Sequence, residues 1–227
     1  MHVEPGIVQA SKIGLSYGTA FTSIILALKA TKLCFQEDGP LSFIFKTFMT
    51  TLLVFTFFEA LPHYPVGVSE VHFILGSTLF LLFGTAPAAF GLAFGLLIQG
   101  LFFAPTDIPQ YGVNLTTLLI PLFAMSALAK KVIPKNTAYK DIKYGDALKL
   151  SLTYQGGVVA WVAFWAFYGQ GFGAENLASV ASFGASYMSV VLLEPFIDLA
   201  LLAAVKMWSS PSHVFYFHKR LFEPLSK

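Results

Sequence analysis

The first six residues, Met1-His2-Val3-Glu4-Pro5-Gly6, hold the most specific chemistry in the sequence. A free amine on Met1, the backbone nitrogen of His2 and the His2 imidazole Nδ1 are spaced to close a five-membered and a six-membered ring on one metal ion. Three nitrogens then lie nearly in a plane. A fourth in-plane donor completes a square-planar site, the geometry that suits Ni(II) or Cu(II) among first-row ions. The His2 amide must lose its proton, so such a site weakens as pH falls. The chelate requires the amine to stay on Met1, and a bulky second residue opposes removal of the initiator methionine.

Four other histidines are available: His63, His72, His213 and His218. His72 is the stronger fourth ligand. Ser69 reads as an N-cap, which places His72 in the first turn of a helix, on one face with Gly76, where a second segment can approach closely. His63 lies between Pro62 and Pro65 in a loop and reads as a further ligand, a gate or a solvated histidine. His213 and His218 sit near Lys219 and Arg220 in a polar tail, where a solvated or lipid-surface role is expected. The single cysteine, Cys34, excludes a disulfide framework and a cysteine-rich metal site.

The elements that must position these residues are membrane helices. A chain of 227 residues that is 56% hydrophobic, 16% aromatic and only 11% charged, with mean hydropathy +0.70, is not a soluble domain. The expected fold class is all-α: a polytopic membrane protein of about seven transmembrane helices. The spans are predicted near Ile7–Leu33, Leu41–Ala60, Val71–Phe83, Ala86–Phe103, Leu115–Ala129, Leu148–Tyr168 and Leu177–Met207. They form one transmembrane domain over residues 1–227, with a chelating segment at 1–6 and a cytoplasmic tail at 208–227. No basic segment precedes the apolar run from Ile7, so the N-terminus is expected to survive as no signal peptide. Gly14 and Gly18, and Gly91 and Gly95, are four apart and read as close helix-packing positions.

Seven spans put the termini on opposite sides. With the N-terminus outside and the C-terminus cytoplasmic, every one of the 14 Lys and Arg residues except Lys12 falls on the inner side. Glu4, Glu70, Asp107 and Glu175 fall outside, with Glu59 near that boundary, so a cation meets a mildly negative mouth. Asp107 is the candidate for attracting or guiding the cation without binding it. Glu194 and Asp198, four apart on the last predicted helix, are costly at membrane depth. A proton or ion role and a structural or subunit-docking role are both open for them, and Pro195 between them is expected to kink the helix.

Three blocks of the sequence resemble one family, the substrate-binding membrane component of the cobalt/nickel energy-coupling-factor transporters, of the CbiM/NikM type. Met1-His2 followed by Pro5-Gly6 is similar to that family's start. Pro65-Val66-Gly67-Val68-Ser69-Glu70-Val71-His72 is similar to its Gly/Ser-rich loop ending in histidine. Leu96-Leu97-Ile98-Gln99-Gly100-Leu101 through Gly112-Val113-Asn114 is similar to a third block. The likeness is best over residues 1–120 and looser beyond, and the order Glu4-Pro5 departs from the family's usual Pro-acid order. The resemblance implies a seven-helix protein whose outer N-terminus inserts into the bundle. It also implies Co(II) or Ni(II) held by the Met1 amine, the His2 backbone nitrogen and imidazole, and His72. The implied partners are a transmembrane coupling protein and cytoplasmic ATPase subunits, in the bacterial inner membrane and with no nucleic acid. The chain has no Gly-x-x-x-x-Gly-Lys-[Ser/Thr] phosphate loop, so it is expected not to be an enzyme.

Two other classes compete on the residues alone. The same four nitrogens bind Cu(II) at least as well, as in a copper-handling or assembly factor for a membrane enzyme. Trp161, Trp165 and Tyr168 would line the path of an organic-solute permease, although they read better as an outer interfacial belt.

Overall fold

A computed structural model describes residues 3–207 and 215–224. Its helices are α1 (Gly14–Asp38), α2 (Pro40–Glu59), α3 (Gly76–Phe83), α4 (Thr85–Phe102), α5 (Tyr111–Val132), α6 (Tyr144–Gln170), α7 (Ala174–Tyr187), α8 (Glu194–Met207) and α9 (Lys219–Phe222), with a hairpin of β1 (Tyr64–Val66) and β2 (Ser69–Val71) before α3. Among the described residues, six helical segments are long and apolar enough to cross a membrane: 14–38, 40–59, 85–102, 105–132, 144–170 and 174–207. The protein is an all-α, multi-pass membrane protein. The faces that α1 and α2 leave uncovered carry large apolar groups, with Phe21 65% and Leu41 72% exposed, as a lipid-facing surface requires.

The predicted third helix is a correction. Residues 69–71 form a strand, 72–75 are neither helix nor strand, with the Ile74 N–H donating to the His72 carbonyl at 3.0 Å, and 76–83 are helical. All eight residues of α3 are buried by the rest of the chain, which is where non-helical backbone at membrane depth is tolerated. Gly76 at its start lies against the Tyr154 ring, so close that a Cβ there would come within 2.2 Å of it. Gly84, with φ +85°, then ends α3 and lets α4 begin in a new direction, a backbone conformation that side chains resist.

Packing follows the small residues in one of the two predicted places. Gly91 and Gly95 of α4 lie on Thr50 and Val54 of α2, where a Cβ would come within 2.3 and 2.5 Å. Thr50 Oγ1 also donates to the Pro87 carbonyl at 2.8 Å. Gly14 and Gly18, by contrast, face nothing within 4 Å in this chain.

The last predicted helix is broken, as Pro195 suggests. α7 passes through a tight turn at Met188–Leu192 before α8 starts at Glu194. Proline lacks an N–H, and its ring clashes with the carbonyl four residues back, here Val191. The aromatic belt is corrected at its centre: Trp165 is fully buried, and the Trp161 indole N–H donates to Thr116 Oγ1 at 3.0 Å.

Candidate metal centre

The chelating residues Met1 and His2 lie outside the described residues. What the structure places is the segment that follows them and its contacts. Val3, covalently next to His2, is fully buried. Its N–H donates to Asn114 Oδ1 of α5 at 2.9 Å, and it bridges antiparallel to Ser69 of β2. The Glu4 N–H donates to the Val68 carbonyl at 3.1 Å, so the N-terminal segment is bridged to the hairpin at Val3 and Glu4.

Two further contacts fix this segment. Gly169 of α6 admits the Ile7 carbonyl where a Cβ would lie 1.9 Å from it. Lys12 Nζ donates to the Tyr168 and Gly169 carbonyls at 2.8 and 3.0 Å. These are among the last carbonyls of α6, which a helix leaves without internal partners and which favour a cation.

His72 is fully buried at this same end. Its position differs from the expected first helical turn: Ser69 is a strand residue rather than an N-cap, and His72 continues the line of β2. Strand alternation puts Glu70 and His72 on one face, and Glu70 Oε2 lies 3.6 Å from His72 Nε2. The imidazole is held edge-on by Phe58 of α2, with centroids 5.1 Å apart, and stacked on His63 at 4.7 Å and 9°. His63 is therefore packed on His72 rather than being a free loop residue, and its Nδ1 lies 3.3 Å from the Leu61 carbonyl.

The acids around this end form one electrostatic group. Burial first, then the nearby Glu70 and Asp107 carboxylates, raise the Glu4 carboxyl above its ordinary range. Burial likewise raises Glu70, against the opposing pull of His63. Asp107 thus lies within electrostatic reach of both, half-buried in the short turn of Pro105–Gln110. Among the described residues, no group of three or more His, Cys, Asp and Glu is arranged to hold a metal. A tetradentate site at this end must therefore draw on donors beyond them.

A family model described as the cobalt uptake substrate-specific transmembrane region, CbiM, matches residues 2–211. The chain belongs to the CbiM family. No curated protein and no solved structure matches it.

In this CbiM-family chain, Glu194 and Asp198 lie inside the bundle, 0% and 1% exposed. All four of their oxygens accept hydrogen bonds. Glu194 Oε1 accepts the Ser77 N–H at 2.9 Å. Glu194 Oε2 accepts Ser151 Oγ at 2.6 Å and Gln155 Nε2 at 2.8 Å. Asp198 accepts Ser77 Oγ at 2.7 Å and Thr78 Oγ1 at 2.5 Å. Gln155 Nε2 also donates to the Ile74 carbonyl at 2.8 Å. The two carboxyls thus hold the start of α3, whose first N–H groups have no helical partner and favour negative charge. Ser77 is five residues beyond His72.

Sequence reasoning singled out His72 as a candidate through its type and loop context. It missed Asn114 as the anchor of Val3, although Asn114 closes the third resembling block. The other polar residue of that block, Gln99, is buried in α4, 4% exposed. His218 is also a correction: it is packed on Tyr139, ring centroids 5.7 Å apart, and its N–H donates to the Leu82 carbonyl at 2.7 Å. Burial, with Lys46 and Arg220 nearby, lowers its imidazole to about 4 against the pull of Asp38. His213 lies outside the described residues.

Proposed function

We propose that this CbiM-family chain captures Co(II) as the substrate-binding subunit of an energy-coupling-factor importer, with Ni(II) as the alternative cargo. The Met1 amine, the His2 backbone nitrogen and imidazole, and His72 supply four nitrogens, and Glu70 orients His72 as carboxylates orient metal-bound histidines. One observation carries this reading: Val3 is locked between Asn114 and Ser69, the strand that leads to His72. That pairing is antiparallel, so a chain that continued it ahead of Val3 would approach Val71 and His72, and two residues reach at most ~7 Å.

Orientation follows from charge. The N-terminal end, with Glu4, Glu70 and Asp107, faces outside, and the end rich in lysine faces the cytoplasm. The chain crosses seven times, the third crossing being residues 72–75 with α3. The eight helical residues of α3 rise ~12 Å, short of the ~30 Å core of a bilayer, and the non-helical residues 72–75 continue the crossing. Asp107 steers the cation. The chain is not an enzyme; a coupling protein and ATPase subunits supply the energy for release, since no phosphate loop is present in the sequence.

The test moves the amine. One residue added before Met1 shifts His2 to third place and removes the five- and six-membered ring pair. Equilibrium Co(II) binding to purified protein is expected to be abolished by this extension, by His2→Ala and nearly so by His72→Ala, with His63→Ala milder. Undiminished affinity in the extended protein rules out the chelate. Affinity of the native protein is expected to fall with pH, as the His2 amide regains its proton and the raised carboxyls of Glu4 and Glu70 lose their charge early.

A further inference from the structure

The end of the bundle opposite the metal centre contains a cavity of about 740 Å³ between the C-terminal halves of α1 and α5 and the start of α4. Its origin is a divergence of helices. α1 and α5 touch near Ser16 and Gly112, where a Cβ on the glycine would lie 2.8 Å from Ser16 Oγ, and they separate toward Asp38 and Lys130.

The cavity wall is cationic. Lys29, Lys130, Lys131, Lys135 and Arg220 line it, against the carboxylates of Glu37 and Asp38. Asp38 is already neutralised, because its Oδ2 lies 2.7 Å from Lys46 Nζ in an ion pair whose side chains are 1% and 0% exposed. None of the five lining cations pairs with a carboxylate among the described residues. Arg220 is the most telling of them. It is 5% exposed, and its guanidinium donates only to neutral groups: the Ile133 and Pro134 carbonyls at 3.1 Å each and Tyr139 Oη at 3.4 Å. Its Nε has no acceptor among the described residues. A buried cation without a counter-charge is costly.

The back wall adds positive potential of a second kind. It includes Gly84, Thr85, Ala86 and Pro87, the first turn of the 18-residue α4, which Gly84 caps without a side chain. A helix start carries roughly half a positive charge and presents unpaired N–H groups. The remaining wall is apolar and open to the side, with Leu26 and Leu33 37% and 55% exposed.

We propose that this cavity binds the phosphate of an anionic phospholipid of the cytoplasmic leaflet, its acyl chain lying along Leu26 and Leu33. Phosphate chemistry fits the Arg220 guanidinium, the lysines and the helix start together. A lipid rather than free phosphate fits the apolar side opening. The assignment to the cytoplasmic leaflet rests on the orientation proposed above; binding itself does not, because a symmetric nanodisc presents both leaflets alike.

The experiment uses the full-length protein in nanodiscs of phosphatidylcholine with phosphatidylglycerol, extracted into neutral detergent, with retained phosphatidylglycerol counted by native mass spectrometry. The Lys130→Gln/Lys131→Gln/Lys135→Gln variant changes exposed residues and is expected to lower retention roughly a hundredfold, since each basic residue at an anionic surface contributes about 1 kcal/mol. Lys140→Gln/Lys143→Gln/Lys149→Gln, which removes the same charge outside the cavity, is expected to retain lipid as the native protein does. Equal loss in both variants means general surface attraction and overturns the site. Inorganic phosphate binding to protein in pure phosphatidylcholine discs, measured by calorimetry, assigns the cavity to free phosphate and overturns the lipid. Loss of retained lipid when a purified coupling protein is added, with full retention before, supports a lipid site that the partner also covers.

Discussion

Asn114 is the residue through which the seating of the proposed chelate can be tested without altering any of its four nitrogens. It is 1% exposed and gives the buried Val3 N–H its acceptor. Asn114→Ala leaves that N–H desolvated and unpaired, at a cost of about 1–3 kcal/mol. If docking of residues 1–4 is what holds the chelate, Co(II) affinity is expected to weaken about tenfold to a hundredfold. Asn114→Asp keeps an acceptor and is expected to stay much nearer the native affinity. Isothermal titration of both variants checks this, and equal loss in the two would show that the acceptor is not what matters. His72 was legible as a candidate ligand because a histidine is rare chemistry in an apolar chain. Asn114 was not, because an asparagine in an apolar helix carries no sign of which backbone group it will meet. Glu70 was read only as part of a negative mouth; its place on the His72 face depends on a strand that the apolar pattern of residues 71–83 conceals.

At the scale of elements, the predicted third helix failed for a physical reason. Hydropathy registers whether a segment is buried in lipid or protein, but residues 72–75 are non-helical inside the bundle, where a tight turn at His72–Ile74 and neighbouring side chains satisfy the backbone. The satisfying groups come from α6 and α8: Gln155 on the Ile74 carbonyl, Glu194 on the Ser77 N–H. This gives the two intramembrane acids a positioning role through α3, where the sequence alone left ion and structural roles open. Glu194→Gln puts an amide N–H₂ among Ser77, Ser151 and Gln155, all donors to it in the native protein. The expected result is a loss of about 1–3 kcal/mol, seen as a lower thermal midpoint in detergent and as weaker Co(II) binding. Ser151→Ala leaves Glu194 Oε2 its bond from Gln155 and is expected to be milder on both readouts. A lowered midpoint with unchanged Co(II) affinity would separate α3 from the seating of His72. The other six spans were legible because each is a long apolar run bounded by turn residues.

Over the whole molecule, charge and tail report on the same end. His218 is buried beneath Tyr139 with its imidazole lowered to about 4. A histidine lowered from its ordinary value near 6.5 binds its proton more readily when unfolded, so its contribution is fully present above pH ~6.5 and is lost as pH falls toward 4. The loss is on the order of 2–3 kcal/mol, and His218→Gln is expected to flatten the fall of the thermal midpoint between pH 6.5 and 4. Tail packing of this kind was illegible in a polar stretch of sequence. The charge asymmetry was legible, and the structure accounts for its one exception: Lys12 lies at the otherwise lysine-free end because it holds the last carbonyls of α6. The orientation drawn from this asymmetry has a direct test. Tyr64 and Thr106 are exposed at the N-terminal end, Asn136 is exposed at the other, and the native Cys34 is buried. Cysteines placed singly at these positions are expected to react with a membrane-impermeant maleimide in intact cells at 64 and 106 and not at 136, and all three in opened membranes. The positive-inside bias acts on the chain as a whole, so a partial inversion is not expected. Labelling at 136 from outside would turn the Glu4, Glu70 and Asp107 mouth toward the cytoplasm and remove uptake from the Met1 end as the direction of transport.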